Sequence, residues 1–148
     1  MYPILNRLRD GDRRSIGKAN QLVADVLDNP ALFARVFNAM ASDGPIIRMR
    51  SADAEEKITA ERLEFLRPYK KKLIQRVATI DHQQVRWHVA QMLPRLELSK
   101  KERADAVEIL VAYLDDRSSI VKTFAMQALA DLAERDINLQ PRVLKLLR

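Results

Sequence analysis

The histidines and carboxylates of this chain are the side chains best suited to chemistry, and their spacing offers little. His82 and His88 are the two histidines and lie six residues apart. That separation puts them on different faces of a helix, so they do not form a pair of metal ligands. His82 reads as a turn residue and His88 as a flank of a buried stripe. Glu55 and Glu56 are adjacent and diverge by about 100° around a helix axis, which suits two solvated carboxylates rather than an acid–base couple. Cysteine is absent, which excludes thiol catalysis, disulfides and cysteine-ligated zinc. The sequence contains no glycine-rich phosphate loop, no nucleophile elbow and no spacing that suggests a Ser-His-Asp arrangement. The expectation is a chain without catalytic residues, metal or cofactor.

Residues suited to binding stand out more. Trp87 is the single tryptophan, with Gln91 one helical turn beyond it, and a large rigid ring is a frequent interface hot spot. The competing reading is that Trp87 fills the gap beneath a neighbouring helix, against Met49 or Thr123. If it is an anchor, Trp87→Ala should weaken a partner and leave the melting transition nearly unchanged. The net charge of +6 and a pI near 9.8 also bring nucleic acid into consideration. Basic residues gather at Arg7, Arg9, Arg13, Arg14 and Lys18, at Lys70-Lys71-Lys72, and at Lys100-Lys101-Arg103. Acidic residues are interleaved through much of the chain and only 5% of it is aromatic, so no platform for stacking single strands is evident. The Lys70 to Lys72 run reads as a solvated helix face.

Such residues need helices to place them, and the sequence carries a three-fold echo of one. Ile47-Arg48, Val85-Arg86 and Val121-Lys122 each open a segment with small or apolar residues at offsets of four and five, and Ile58, Leu96 and Leu132 follow at eleven. The units are 38 and then 36 residues apart, a period typical of stacked helical hairpins. Three glycines and six prolines in 148 residues argue against a turn-rich β-protein. The 3.6-residue period predicts a short helix at 2–9 and a longer one at 13–27, then pairs at 31–41 with 45–59, 68–79 with 83–97, and 100–115 with 118–134, and a last helix at 141–148. Asp28-Asn29-Pro30 marks a boundary with a capping residue, and Pro94 should kink or break its helix. The loops Ser42-Asp43-Gly44 and Thr79-Ile80-Asp81-His82 leave no room for a separate domain. The apolar stretch at Met1 to Leu5 is too short for a signal peptide and nothing is long enough to span a membrane, so a soluble, cytoplasmic protein is expected.

The run Asp43-Gly44-Pro45-Ile46-Ile47-Arg48, its partner Asp81-His82-Gln83-Gln84-Val85-Arg86, and Asp116-Arg117-Ser118-Ser119-Ile120-Val121-Lys122 resemble the turn and second helix of HEAT repeats, over residues 31 to 134. In general appearance the chain is similar to small bacterial HEAT-like proteins. The resemblance implies an all-α, right-handed α-solenoid. Residues 1–29 would form leading helices or a cap, 30–134 three repeats, and 135–148 a partial final repeat. It also implies an inter-repeat ladder of turn aspartates and inner-helix arginines, matched by Asp43, Arg48, Asp81 and Arg86. In the third unit Asp116 is one residue out of step and Lys122 replaces arginine, losing the planar fork that bridges two acceptors.

Offsets of zero, four, seven, eight and eleven share one helix side. They predict burial of Val85, Val89, Met92, Leu93 and Leu96, and of Val121, Ala125, Ala128, Leu129 and Leu132. The first unit has Ser51 and Glu55 at these offsets, so its helix should be more exposed or depend on Ile47, Ala54 and Ile58. Opposite the stripe lie rows of Met49, Trp87 and Thr123, of Asp53, Gln91 and Gln127, and of Lys57, Arg95 and Asp131. In HEAT-like proteins the inner helices line the concave face, so the resemblance makes Trp87, Gln91, Gln127, Met49, Arg50 and Arg95 the candidate surface for another protein. Some HEAT-like proteins are alkylpurine DNA glycosylases, and Trp87, Asp53 and Arg95 are the residues here that could play similar parts. The order of expectation is a non-catalytic protein-binding adaptor, then a nucleic-acid-binding protein, with a glycosylase a remote third. Val143, Leu144 and Leu147 form a further apolar stripe, which suggests self-association through the C-terminal end.

Overall fold

The computed structural model describes residues 16–42 and 44–148, with side chains from residue 21 onward. The expected helix at 2–9, the basic residues Arg7 to Lys18 and the ladder residue Asp43 therefore lie outside the described side chains. Every regular element among the described residues is helical. The longer ones are α1 (Ile16–Asp28), α2 (Phe33–Ala39), α3 (Pro45–Glu61), α4 (Lys70–Gln75), α5 (Gln83–Met92), α6 (Lys100–Tyr113), α7 (Ser119–Arg135) and α8 (Gln140–Leu146). No helix among them is long and apolar enough to cross a membrane.

Prolines explain most of the boundaries. Pro30, Pro45, Pro68 and Pro141 each occupy the first turn of a helical segment, where the missing N–H has no intrahelical acceptor to lose. Pro94 ends α5 at Met92 and leaves a 3-10 turn over Leu93–Arg95, so the expected helix 83–97 is broken there. The expected outer helix 68–79 is likewise divided into a turn at Arg67–Tyr69, α4, and a turn at Val77–Thr79. Asn29 sits at its predicted boundary but makes no side-chain capping bond. By contrast, Ser99 caps α6 in a reciprocal box with Glu102, and the Ser118 hydroxyl accepts from the Val121 amide at the start of α7.

Helix α3 packs against α5, and α5 against α7. On the other side α2 covers α3, the Val77–Thr79 turn covers α5, and α6 covers α7, with α4 against α6. The buried stripe between them contains Val85, Val89, Met92, Leu93, Leu96, Val121, Ala125, Ala128, Leu129 and Leu132, as the offsets predict. Phe33, Val36, Phe37, Met40, Leu73, Ile74, Val77, Val107, Leu110 and Tyr113 close it from the facing helices. Helix α3 follows one of its two alternatives, with Ala54 and Ile58 buried and Ile47 packed on the core, and overturns the other, greater exposure. Ser51, Glu55 and Thr59, spaced one turn apart, are buried rather than exposed. Ser51 and Thr59 satisfy their hydroxyls by donating to the carbonyls of Ile47 and Glu55. Glu55 is fully buried, and neither carboxylate oxygen has a hydrogen-bond partner among the described residues. Helix α3 is buried because α1, α2 and α5 all pack on it. The apolar stripe therefore tolerates a polar residue where the neighbouring units place Leu93 and Leu129.

Candidate functional site

The uncovered face of α3, α5 and α7 carries the residues that the sequence singled out, and their geometry separates them into two groups. Trp87 is half-buried and packed on the core. Its ring stacks on Phe124 of α7 at 5.8 Å and 10° between planes. On its other neighbour it stacks on His88 at 4.8 Å and 21°. The indole N–H is buried without a hydrogen-bond partner among the described residues. Trp87 thus bridges α5 and α7 while remaining partly accessible, and its ring partner on α7 is Phe124, next in sequence to the predicted Thr123.

The polar residues around this aromatic stack are mostly engaged with one another. His88 is buried, its Nδ1 2.8 Å from Gln91 Oε1, so Nδ1–H donates to the amide oxygen. Its Nε2 is 3.8 Å from Asp53 Oδ1, too far for a hydrogen bond. Burial holds the His88 pKa below the ordinary imidazole value, which keeps the ring neutral at pH 7. Asp53 pairs with Lys57 at 2.9 Å, and Gln127 donates to Asp131 at 2.9 Å. Met49 and Arg50 are half-buried, whereas Thr123, Met126 and Gln127 are exposed. No group of three metal-ligating side chains occurs among the described residues.

Arg95 has a structural role that the helical wheel did not anticipate. Its guanidinium donates to the Glu56 carboxylate at 2.6 Å and to the Glu56 carbonyl at 2.9 Å, tying the turn that follows α5 to α3. Arg135 repeats the device one unit later by donating to the Pro94 carbonyl. Glu56 and Pro94 both stand nine residues after the first residue of their echo, Ile47 and Val85. The recipient position is thus periodic even though the donors are not, which is why a fixed offset could not reveal it. Asp53, Trp87 and Arg95 accordingly have separate engagements, with Lys57, Phe124 and Glu56.

At the opposite ends of the same helices, Arg86 lies between the carboxylates of Asp81 and Asp116. Its guanidinium lies 3.4 Å from Asp81 and hydrogen-bonds Asp116, while stacking over the Tyr113 ring at 5.5 Å. Asp116 thus completes the link despite its shifted register, because its second oxygen accepts from the Ser118 amide and the turn holds the carboxylate towards α5. Burial opposes ionisation of Asp116, but the Ser118 amide and Arg86 together hold its pKa below the usual carboxylate value. Lys122 is exposed and takes no part in this bridge. Arg48 is half-buried and lies close enough to His82 for its charge, after burial, to lower the imidazole pKa.

Phe124 is the residue of this face that sequence reasoning missed. It shares its offset of three with Arg50 and His88, on the helix flank that faces the preceding unit, and only the rows directly opposite the stripe pointed outward. No family model matches this chain, and no curated protein and no solved structure has significant similarity to it.

Proposed function

We propose that this chain is a short right-handed α-solenoid of HEAT-like hairpins that serves as a protein-binding adaptor through the face formed by α3, α5 and α7. The observation that carries this reading is the partly accessible Trp87–Phe124 stack at the α5–α7 seam. A preorganised aromatic pair offers apolar area to a partner without an ordering cost on binding. Exposed Thr123, Met126 and Gln127 extend the same face along α7, giving an apolar centre with hydrogen-bonding groups around it. The side-by-side packing of α3, α5 and α7, each backed by a second helical segment, is the arrangement a hairpin array requires.

Affinity capture from cell extract tests the proposal with two surface variants. Trp87→Ala removes the stack, and Thr123→Glu with Gln127→Lys alters only exposed positions. A specific partner should be lost from both, and the second variant should melt like the wild type. An identical set of captured proteins for all three chains would sink the reading.

A further inference from the structure

A second surface, on the other side of the molecule from the aromatic stack, has a different chemistry. From Phe65 to Ile80 the chain carries Arg67, Lys70, Lys71, Lys72 and Arg76 and no acidic residue. The neighbouring stretch from Asn29 to Ser42, which contains α2, adds Arg35 and likewise has no acidic residue. The fold sets these two stretches side by side. Phe33 and Phe37 of α2 meet Tyr69, with ring centroids 5.4 and 4.7 Å apart, and a groove between α2 and α4 is lined by Phe37, Asn38, Ala41, Lys72, Arg76 and Val77.

Within α4 the division of labour is clear. Leu73 and Ile74 are buried and fix the helix, whereas Lys71, Lys72 and Gln75, and Arg76 just beyond its end, are exposed. Lys70 is neutralised internally, 3.0 Å from Glu102 and donating to the Glu97 carbonyl. Lys71, Lys72 and Arg76 form no ion pair of this kind among the described residues. Lys72 and Arg76 are one turn apart, close enough to repel each other, and an external anion between them relieves that repulsion.

We propose that this α2–α4 surface binds the phosphate backbone of double-stranded nucleic acid without reading its sequence. The aromatic rings nearby, Phe33, Phe37 and Tyr69, are occupied with one another, so they are not presented for the base stacking that single strands use. Among the described residues the exposed large hydrophobics are Ile46, Ile120, Met126, Ile137, Leu144 and Leu147, and none of these lies on this surface to act as an apolar wedge for entering a bilayer. What remains is a set of cations with neutral donors, Asn38 and Gln75, around a shallow groove, which is the composition of a backbone contact.

Fluorescence anisotropy with a labelled random-sequence DNA duplex tests the assignment. Wild-type binding should weaken with salt, the plot of log K against log salt having a slope of about −3 for three phosphate contacts. Lys71→Glu/Lys72→Glu/Arg76→Glu should weaken binding by tenfold or more, on the order expected when three phosphate contacts are reversed. Arg117→Glu/Lys122→Glu/Lys145→Glu changes the net charge equally at exposed positions elsewhere and should bind nearly as well as wild type. Thermal melts establish that each variant is folded, and a corresponding glutamine triple variant replaces the glutamates if it is not. Equal losses in both charge-reversed chains, no duplex binding by the wild type at low salt, or binding only to phosphatidylserine vesicles would overturn the proposal.

Discussion

Two side chains carry the plainest consequences at the residue scale. Glu55 is fully buried with its oxygens unpartnered among the described residues, and burial raises its pKa well above the usual value. Burial therefore favours the protonated form in the fold, whereas the unfolded chain ionises this carboxyl at neutral pH. A raised carboxyl pKa makes the folded state lose stability as pH climbs from the unfolded value towards the folded one. Glu55→Leu, matching Leu93 and Leu129, should stabilise the protein at pH 7 by about 1 to 3 kcal/mol. The advantage should shrink as pH falls to the unfolded carboxyl value of about 4.3. Urea titrations at both pH values check this, and a less stable variant at pH 7 would contradict it. Trp87 behaves in the opposite sense. Its ring joins α5 to α7 through Phe124, so Trp87→Ala should cost about 1 to 3 kcal/mol, less than the loss on truncating a fully buried tryptophan. Trp87→Phe should recover most of that loss, and two variants with the wild-type melting temperature would show that the stack is ornamental. The sequence leaves two readings of Trp87 open, an anchor whose loss would not change the melt and a packing residue beneath the neighbouring helix, because a helical wheel separates in from out but does not show what an adjacent helix places alongside.

Helices α5 and α7 meet through the apolar stripe and through charge, and each contribution has its own signature at the element scale. Leu93 and Leu129 are fully buried at equivalent positions, and truncating either to alanine should cost about 2 to 5 kcal/mol in chemical denaturation. A cost below 1 kcal/mol would mean that the stripe is not the core. The Arg86–Asp116 pair is largely shielded, with side chains 25% and 10% exposed. A double-mutant cycle should therefore give a coupling of about 1 to 3 kcal/mol, above the range for surface pairs. Since the folded Asp116 pKa is depressed, that coupling should be complete above the ordinary aspartate value and fade as pH falls through the folded one. Undiminished coupling at pH 2 would assign it to packing on Tyr113 instead. The positions of these elements were legible because Val85 and Val121 repeat the same stripe. The shifted Asp116 and the broken helix at Pro94 were partly legible. The links from Arg95 to Glu56 and from Arg135 to Pro94 were not, because the two arginines stand at different offsets and the carbonyls of Glu56 and Pro94 that they share as acceptors have no sequence identity.

At the scale of the whole molecule, α5 is the described helix most enclosed by its neighbours. It packs against α3 and α7 together and is backed by the Val77–Thr79 turn. Helix α8 has only Val143 buried, and Leu144 and Leu147 are exposed. Native-state hydrogen exchange should therefore find the slowest amides in α5 and the fastest helical ones in α8. Uniform protection across the helices would indicate a single cooperative unit instead of nearest-neighbour stacking. The same arrangement separates two surfaces of unlike chemistry, an aromatic seam at α5–α7 and a basic groove at α2–α4, and allows each to be altered alone.

Helix content, the buried stripe and the turn residues around Asp81 and Ser118 follow from local spacing, because a period of 3.6 and the position of proline act on a few residues at a time. The burial of Glu55, the Trp87–Phe124 stack and the acid-free groove follow from contacts between residues distant in sequence. Whether a polar or aromatic side chain meets water or another helix depends on which elements come together, and that is a property of packing that no single helical period contains.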